Sequence, residues 1–195
     1  MPPTRRTRQQ PLSHGRIVAT ALGLLTRVGL PDLTMRAIGT ELGVQQSALY
    51  HHFANKQTLL GAVADAILAR RPALDATDLE LPWQEVVRQR CRDLHAAVTA
   101  YPDGADIVMS MWAFGMGGRA PFDELREILG ATGLDARGAK TAARTLLHFV
   151  YGHAYDEQSH AQAARSGIAS DARPESDFDT GLDIILTGVE SLVVR

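Results

Sequence analysis

Cysteine is nearly absent from this chain: Cys91 stands alone among 195 residues, so no internal disulfide is possible and a reducing compartment is expected. Cys91 lies in an apolar and basic helical pattern and reads as packing rather than as a nucleophile. No run approaches the ~20 apolar residues that cross a bilayer, and no leading apolar segment suits a signal peptide. A cytoplasmic protein with no membrane partner is therefore expected. The chain also lacks a glycine-rich phosphate loop, a nucleophile elbow, an HExxH pair and a cysteine matched to a base. These absences leave no catalytic residue to nominate, and no enzyme is expected. No alternating run long enough for a strand occurs. Apolar residues recur at helical spacing instead, which implies an all-α fold.

What is present is most informative between residues 34 and 56, TMRAIGTELGVQQSALYHHFANK. Thr34 is placed to cap a helix, and Leu33 before it has the offset that packs on Ile38, a hydrophobic staple. Ala37, Ile38 and Leu42 recur at helical spacing, Gly43 suits the left-handed residue that ends a helix, and Val44 re-enters the core. A second helix is expected from Gln46 to Phe53. It would turn Leu49 and Phe53 inward and leave Gln46, Ser47, Tyr50 and His51 outward with their donors and acceptors free. Two helices across a glycine turn, the second with a polar face, read as a helix-turn-helix that lays side chains against DNA base edges. The spacing alone also fits an ordinary helical hairpin.

Charge points the same way from an independent direction. Residues 1–71 hold nine Lys or Arg against three acidic residues, a net of +6, and residues 72–195 hold eleven against nineteen, a net of −8. A basic first third beside an acidic remainder is the asymmetry expected when one part alone meets phosphate. Arg5, Arg6 and Arg8 extend the basic part into an arm whose three prolines discourage order.

Four units are expected: a flexible basic arm (1–12), a three-helix DNA-binding domain (13–56), a connecting helix (57–71) and a C-terminal domain (72–195). The first helix should run from about Ser13 to Val28 and the fourth from about Lys56 to Arg70, stopped by Pro72. After a linker at 72–82, further helices are expected at about Pro82–Tyr101, Asp106–Phe114, Pro121–Thr132, Asp135–Ala164 and Asp177–Val194. The glycine-rich loop GMGGRAP follows the sixth. On the last helix Leu182, Ile185, Leu186, Val189 and Leu192 form an apolar stripe that needs a partner surface, best supplied by a second copy.

Residues 13–60 resemble the DNA-binding domain of the tetracycline-repressor (TetR) family. The resemblance is carried by the amphipathic first helix (Ile17, Ala21, Leu24, Leu25, Val28), by VGLPDLTMRAIGTELGV and by SALYHHFANKQTLL. The second half is similar to tetracycline repressors proper at PWQEVVRQRC through HAAVTAYPDGADIV, and at FVYGHAYDEQSH. This implies a homodimeric transcriptional regulator, expected to be a repressor, bound to a palindromic double-stranded operator and released by a small-molecule effector. The DNA-facing residues would be Thr34, Arg36, Gln45, Gln46, Ser47, Tyr50, His51, His52 and Lys56. Arg36 and Gln46 are the ones chemically suited to reading bases, with Thr34, Tyr50 and Lys56 holding phosphates.

The pattern departs from tetracycline repressors where they hold a magnesium-chelated antibiotic. Val108 stands at the position of the metal-binding histidine, Arg71 at that of an antibiotic-contacting histidine, and Asp156 at that of an acidic residue holding metal-bound water. The expected effector site, made of Val108, Met109, Met111, Trp112, Phe114, Phe149, His153 and Asp156, is therefore apolar and aromatic, with no metal and no cofactor. His153, Asp156 and His160 share a helix face at i, i+3 and i+7, a spacing that a solvated face or a hydrogen-bonded interior also adopts. The alternative from another class is a helical small-molecule- or metal-binding protein or enzyme without specific DNA binding.

Overall fold

The structure, a computed structural model, describes residues 11–75, 80–169 and 176–193. Among these residues it holds nine helices and no strand, and no helix is long and apolar enough to cross a membrane. The arm arginines Arg5, Arg6 and Arg8, part of the linker (76–79) and part of the loop before the last helix (170–175) lie outside the described residues.

Local sequence explains most of the boundaries. α1 (His14–Asp32) starts where the Ser13 hydroxyl accepts the Arg16 N–H at 3.3 Å, and it buries Ile17, Ala21, Leu24 and Leu25 on one face. Gly29, at φ 74°, breaks its regular course one residue after Val28. α2 (Met35–Leu42) starts at Thr34, whose hydroxyl accepts the Ala37 N–H at 3.1 Å, while Leu33 and Ile38 are both buried as a staple requires. Gly43 at φ 69° closes it. α3 (Gln46–Tyr50) is shorter than expected. The Leu49 carbonyl accepts from both His52 and Phe53, which tightens the chain into a turn before Phe53 reaches the core. Asn55 then caps α4 (Lys56–Leu68) by accepting the Thr58 N–H at 2.8 Å.

Beyond the linker lie α5 (Trp83–Thr99), α6 (Gly104–Ala113), α7 (Ala120–Gly130), α8 (Ala136–Arg165) and α9 (Phe178–Val193). α6 begins two residues earlier than expected. Asp103, in the left-handed region at φ 57°, turns the chain sharply, and a Cβ on Gly104 would stand 2.2 Å from the Val98 carbonyl oxygen. The same Asp103 accepts the Leu30 N–H at 2.7 Å, joining the end of α1 to the α5–α6 turn.

α4 organises the assembly. It packs on α1 on one side and on α5, α6 and α7 on the other, so one apolar core runs from Ile17 and Leu49 through Val63 and Ile67 to Val108, Leu146 and Tyr151. α8 crosses α5, α6 and α7 and carries α9. The expected stripe on α9 divides. Leu182, Leu186 and Val189 are buried inside the subunit, Ile185 is partly buried against the core, and Leu192 is 54% exposed, beside Ile184, which is not in the stripe and is 70% exposed. Arg88 and Arg92 on α5 clamp α9 through Asp183 (2.6 Å) and Asp179 (2.8 Å).

Where α4 crosses the α6–α7 loop, a Cβ on Gly61 would lie 2.1 Å from the Met116 carbonyl oxygen. Gly61→Ala should therefore destabilise the protein by about 1–3 kcal/mol, outweighing the gain of about 1 kcal/mol that alanine brings to a helix. Gly23→Ala in α1, where an added Cβ meets nothing within 4 Å, should stabilise it by about 0.5–1 kcal/mol. Thermal unfolding of the two variants checks the pair of opposite signs.

Candidate nucleic-acid interface and effector site

Burial of Leu49 and Phe53 fixes which way α3 faces, and it turns Gln45, Gln46, Ser47, Tyr50 and His51 to solvent. Thr34 and Arg36, at the start of α2, are exposed beside them. α2 and α3 pack closely, since a Cβ on Gly39 would lie 3.0 Å from the Val44 carbonyl oxygen, and this holds both polar edges in a fixed relation. Four of the expected DNA-facing residues have neighbours of their own. Gln46 and Tyr50 are not free, because the Gln46 amide donates to the Tyr50 hydroxyl at 2.9 Å across one turn. His52 is half-buried and structural: its carbonyl lies 2.9 Å from His14 Nε2, and its ring packs edge-on against the His14 ring at 5.1 Å. Lys56 is half-buried and lines a cleft with Leu30, Asp103 and Asp106.

The expected effector residues do not converge on one cavity. Val108 and Met111 are packed in the core, because α6 turns them toward the apolar sides of α4 and α8. Met109 is half-buried against that core, Phe114 is 66% exposed, and Asp156 is exposed. Phe149 and His153 face α9 instead, where Phe149 stacks on Phe178 at 5.4 Å. Trp112 of this set lines a cleft. Its ring neighbours Phe122 at 6.3 Å, His148 at 5.6 Å and Tyr151 at 6.1 Å, and the Arg144 guanidinium lies 5.9 Å from its centre. This open cleft, about 640 Å³, is also lined by Gly115 and Gly117 of the loop that crosses α4.

A second cleft, about 460 Å³, lies at the end of α4, and sequence reasoning did not assemble it. Glu124 bridges two nearly buried guanidinium groups, those of Arg71 and Arg90, each at 2.7 Å, and Arg90 also reaches Asp93 at 3.0 Å. Arg90 occupies the inward stripe of α5 among Val86, Val87, Cys91 and Leu94. An arginine on an apolar stripe was the available signal, since a buried charge must find a partner. Beside it, burial pushes the Cys91 thiol up to about 12 and raises the Tyr151 hydroxyl as well, so Cys91 is inert packing. The third cluster, His95 with His153 and Glu157, joins α5 to α8.

Comparison with known proteins agrees with this architecture. Residues 17–63 match the family of bacterial regulatory proteins called the tetR family, and residues 77–177 match the tetracyclin repressor-like C-terminal domain. The chain is 32% identical to the tetracycline repressor protein class A from transposon 1721 of Escherichia coli, over 94% of each chain. Among solved structures it is similar to Mycobacterium smegmatis BioQ, with a TM-score of 0.84 and 37% identity over 93% of this chain and 99% of the other. It is also similar to BioQ bound to its double-stranded DNA operator (TM-score 0.78, 34% identity over 93% and 99%). A TetR variant from Acinetobacter baumannii AYE in complex with minocycline superposes with a TM-score of 0.75 and 31% identity, over 94% of this chain and 99% of that one. With its polar recognition face and its helical C-terminal half, the chain belongs to the tetR family of bacterial regulatory proteins and is a DNA-binding, ligand-responsive transcriptional regulator.

Proposed function

We propose that this regulator is a homodimeric repressor of the cytoplasm, without catalytic activity, which leaves a palindromic operator when an aromatic small molecule binds without metal at the Trp112 cleft. The organisation is that of a recognition unit at 13–56, a connecting helix at 57–71 and a ligand-binding and dimerisation unit at 72–195. One observation carries the reading. The loop that lines the Trp112 cleft is the loop whose backbone touches Gly61 of α4, and α4 starts at Lys56, six residues after the recognition helix ends at Tyr50. A ligand wedged beside Trp112 and Phe122 displaces that loop, and α4 carries the displacement to α3. It shifts the population away from the operator-binding state only by its preference for the displaced one.

Arg36 and Gln46 are assigned to base edges, Gln46 after exchanging its bond to Tyr50 for one to adenine. Thr34, Gln45, Ser47, Tyr50, His51 and Lys56 are assigned to the phosphate backbone. Arg36→Ala and Gln46→Ala should each cost about 1–3 kcal/mol and relax preference at one base pair per half-site. Lys56→Ala should weaken all sequences alike and reduce the salt slope by about 1. Footprinting and salt titration check both; a footprint without a two-fold repeat, or an unchanged base preference in Gln46→Ala, overturns the assignment.

Ile184, Gly188 and Leu192 share the outward face of α9, and an added Cβ at Gly188 meets nothing within 4 Å, which suits a closely packed partner helix. Ile184→Glu should give folded monomers in sedimentation, while Leu186→Asp, aimed into the subunit core, should unfold the chain. A folded dimer of Ile184→Glu moves the interface elsewhere.

Because Val108 cannot coordinate a metal, magnesium-tetracycline should be a poor inducer. Thermal-shift and operator-release assays with tetracycline, with and without magnesium, alongside metal-free aromatic compounds distinguish the cases. An aromatic inducer should raise the melting temperature by mass action and lose its effect in Trp112→Ala. Tight, magnesium-dependent release by tetracycline overturns the reading.

A further inference from the structure

The cluster between α5 and α8 has chemistry that DNA binding and effector release leave unused. Glu157 sits between two imidazoles. Its Oε2 is 3.0 Å from His95 Nε2, and its Oε1 is 3.6 Å from His153 Nδ1. One donor atom from each of the three residues falls within 4.8 Å of the others. All three side chains are largely withdrawn from solvent, at 19%, 13% and 21% exposure. Phe178 closes the space, with its ring 4.5 Å from that of His95 and 5.2 Å from that of His153.

The surroundings of His153 are informative. Its Nε2 lies 3.2 Å from the Asp177 carboxylate, a hydrogen-bond distance. Nδ1 is buried and makes no hydrogen bond. It faces a Glu157 carboxylate oxygen at 3.6 Å, too far for a hydrogen bond. A metal ion held between the two would give Nδ1 the partner it lacks. A carboxylate on the far nitrogen of a histidine is also the usual support for a metal-bound imidazole, because it fixes the tautomer and raises the basicity of the ligating nitrogen.

We propose that His95, His153 and Glu157 form a binding site for a divalent transition-metal ion, with Asp177 orienting His153. Two imidazoles and one carboxylate suit the borderline ions, zinc first among them, with a fourth position left for water. Ligand bonds of about 2.0–2.2 Å place neighbouring donors about 3.3–3.6 Å apart in a tetrahedron, so three donors already within 4.8 Å of one another draw together around an ion by side-chain rotation. The i, i+4 spacing of His153 and Glu157 on α8 brings both to one side of the helix. His160 is excluded from the same ion, because seven residues of α-helix separate it from His153 by about 10 Å along the axis. The site is separate from the Trp112 cleft and does not depend on how the effector is bound. An ion there joins α5, α8 and, through Phe178, the start of α9.

The test uses the full chain, stripped with a chelator and titrated with Zn(II) by calorimetry and with Co(II) by visible absorption. One equivalent per chain, a four-coordinate Co(II) spectrum and a raised melting temperature are expected. His153→Ala and Glu157→Gln should each weaken Zn(II) binding by more than tenfold, Asp177→Asn by about 10 to 100-fold, and His160→Gln not at all. Glu157→Gln keeps the shape of the side chain, and its circular dichroism and operator affinity verify that it is folded. Absence of stoichiometric binding, or unchanged affinity in both His153→Ala and Glu157→Gln, overturns the site and leaves the cluster as a hydrogen-bonded seam between helices.

Discussion

Backbone meets backbone where α4 crosses the loop between α6 and α7, and much of the molecule is arranged around that contact. Gly61 and Gly117 leave no space for a side chain there, and the Asp65 carboxylate fixes the loop by accepting the Gly118 N–H at 2.8 Å. α4 thereby belongs to two neighbourhoods at once. Its first turn follows the recognition helix after one short turn, and its flank is held by the loop that borders the Trp112 cleft. A softer contact, made by the ends of long side chains, would absorb a small displacement. Close-packed main chain transmits it.

The second organising feature is the charge buried at the end of α4. Arg71, Arg90, Glu124 and Asp93 tie the chain just beyond α4 to α5 and α7 with bonds of 2.7 to 3.0 Å, near the buried Cys91 and Tyr151. Such a network contributes little net stability, because desolvation offsets most of its attraction, but loss of one member leaves a buried charge without a partner. The arrangement is thus close to all-or-none, unlike the graded apolar contacts around it. Within this family resemblance, Arg71 at the position of an antibiotic-contacting histidine acquires a structural partner in Glu124.

Most of the fold was legible because its signals are local. Thr34, Gly43 and Asn55 mark helix ends by chemistry confined to a few residues, and the stripes of α1 and α5 follow a simple period. The recognition face was legible for the same reason: burial of Leu49 and Phe53 decides the orientation of everything between them. Long-range pairing was not. Nothing near Glu124 in the chain announces Arg71, and nothing near His95 announces Glu157, since each pair is brought together by tertiary packing. The expected effector residues are spread over several surroundings, with Met111 in the core and Phe149 stacked on Phe178 of α9, a division that a count of soft side chains in sequence cannot reveal. The α9 stripe was ambiguous in a milder way, since a wide apolar face fits both a subunit core and a partner helix, and here Leu182, Leu186 and Val189 of it lie in the core.

The bond between Gln46 and Tyr50 bears on how the protein behaves when it is not at its target. With one N–H of the Gln46 amide occupied by a neighbour on its own helix, the recognition surface offers fewer unsatisfied groups to DNA at large. Exchange is nearly neutral where an adenine edge supplies both a donor and an acceptor, and unfavourable where it does not. With Gln46 reading a base edge as proposed, wrong sequences are refused partly by a pairing the protein already has, and the chain can release them and resume its search without first undoing a contact it should never have made.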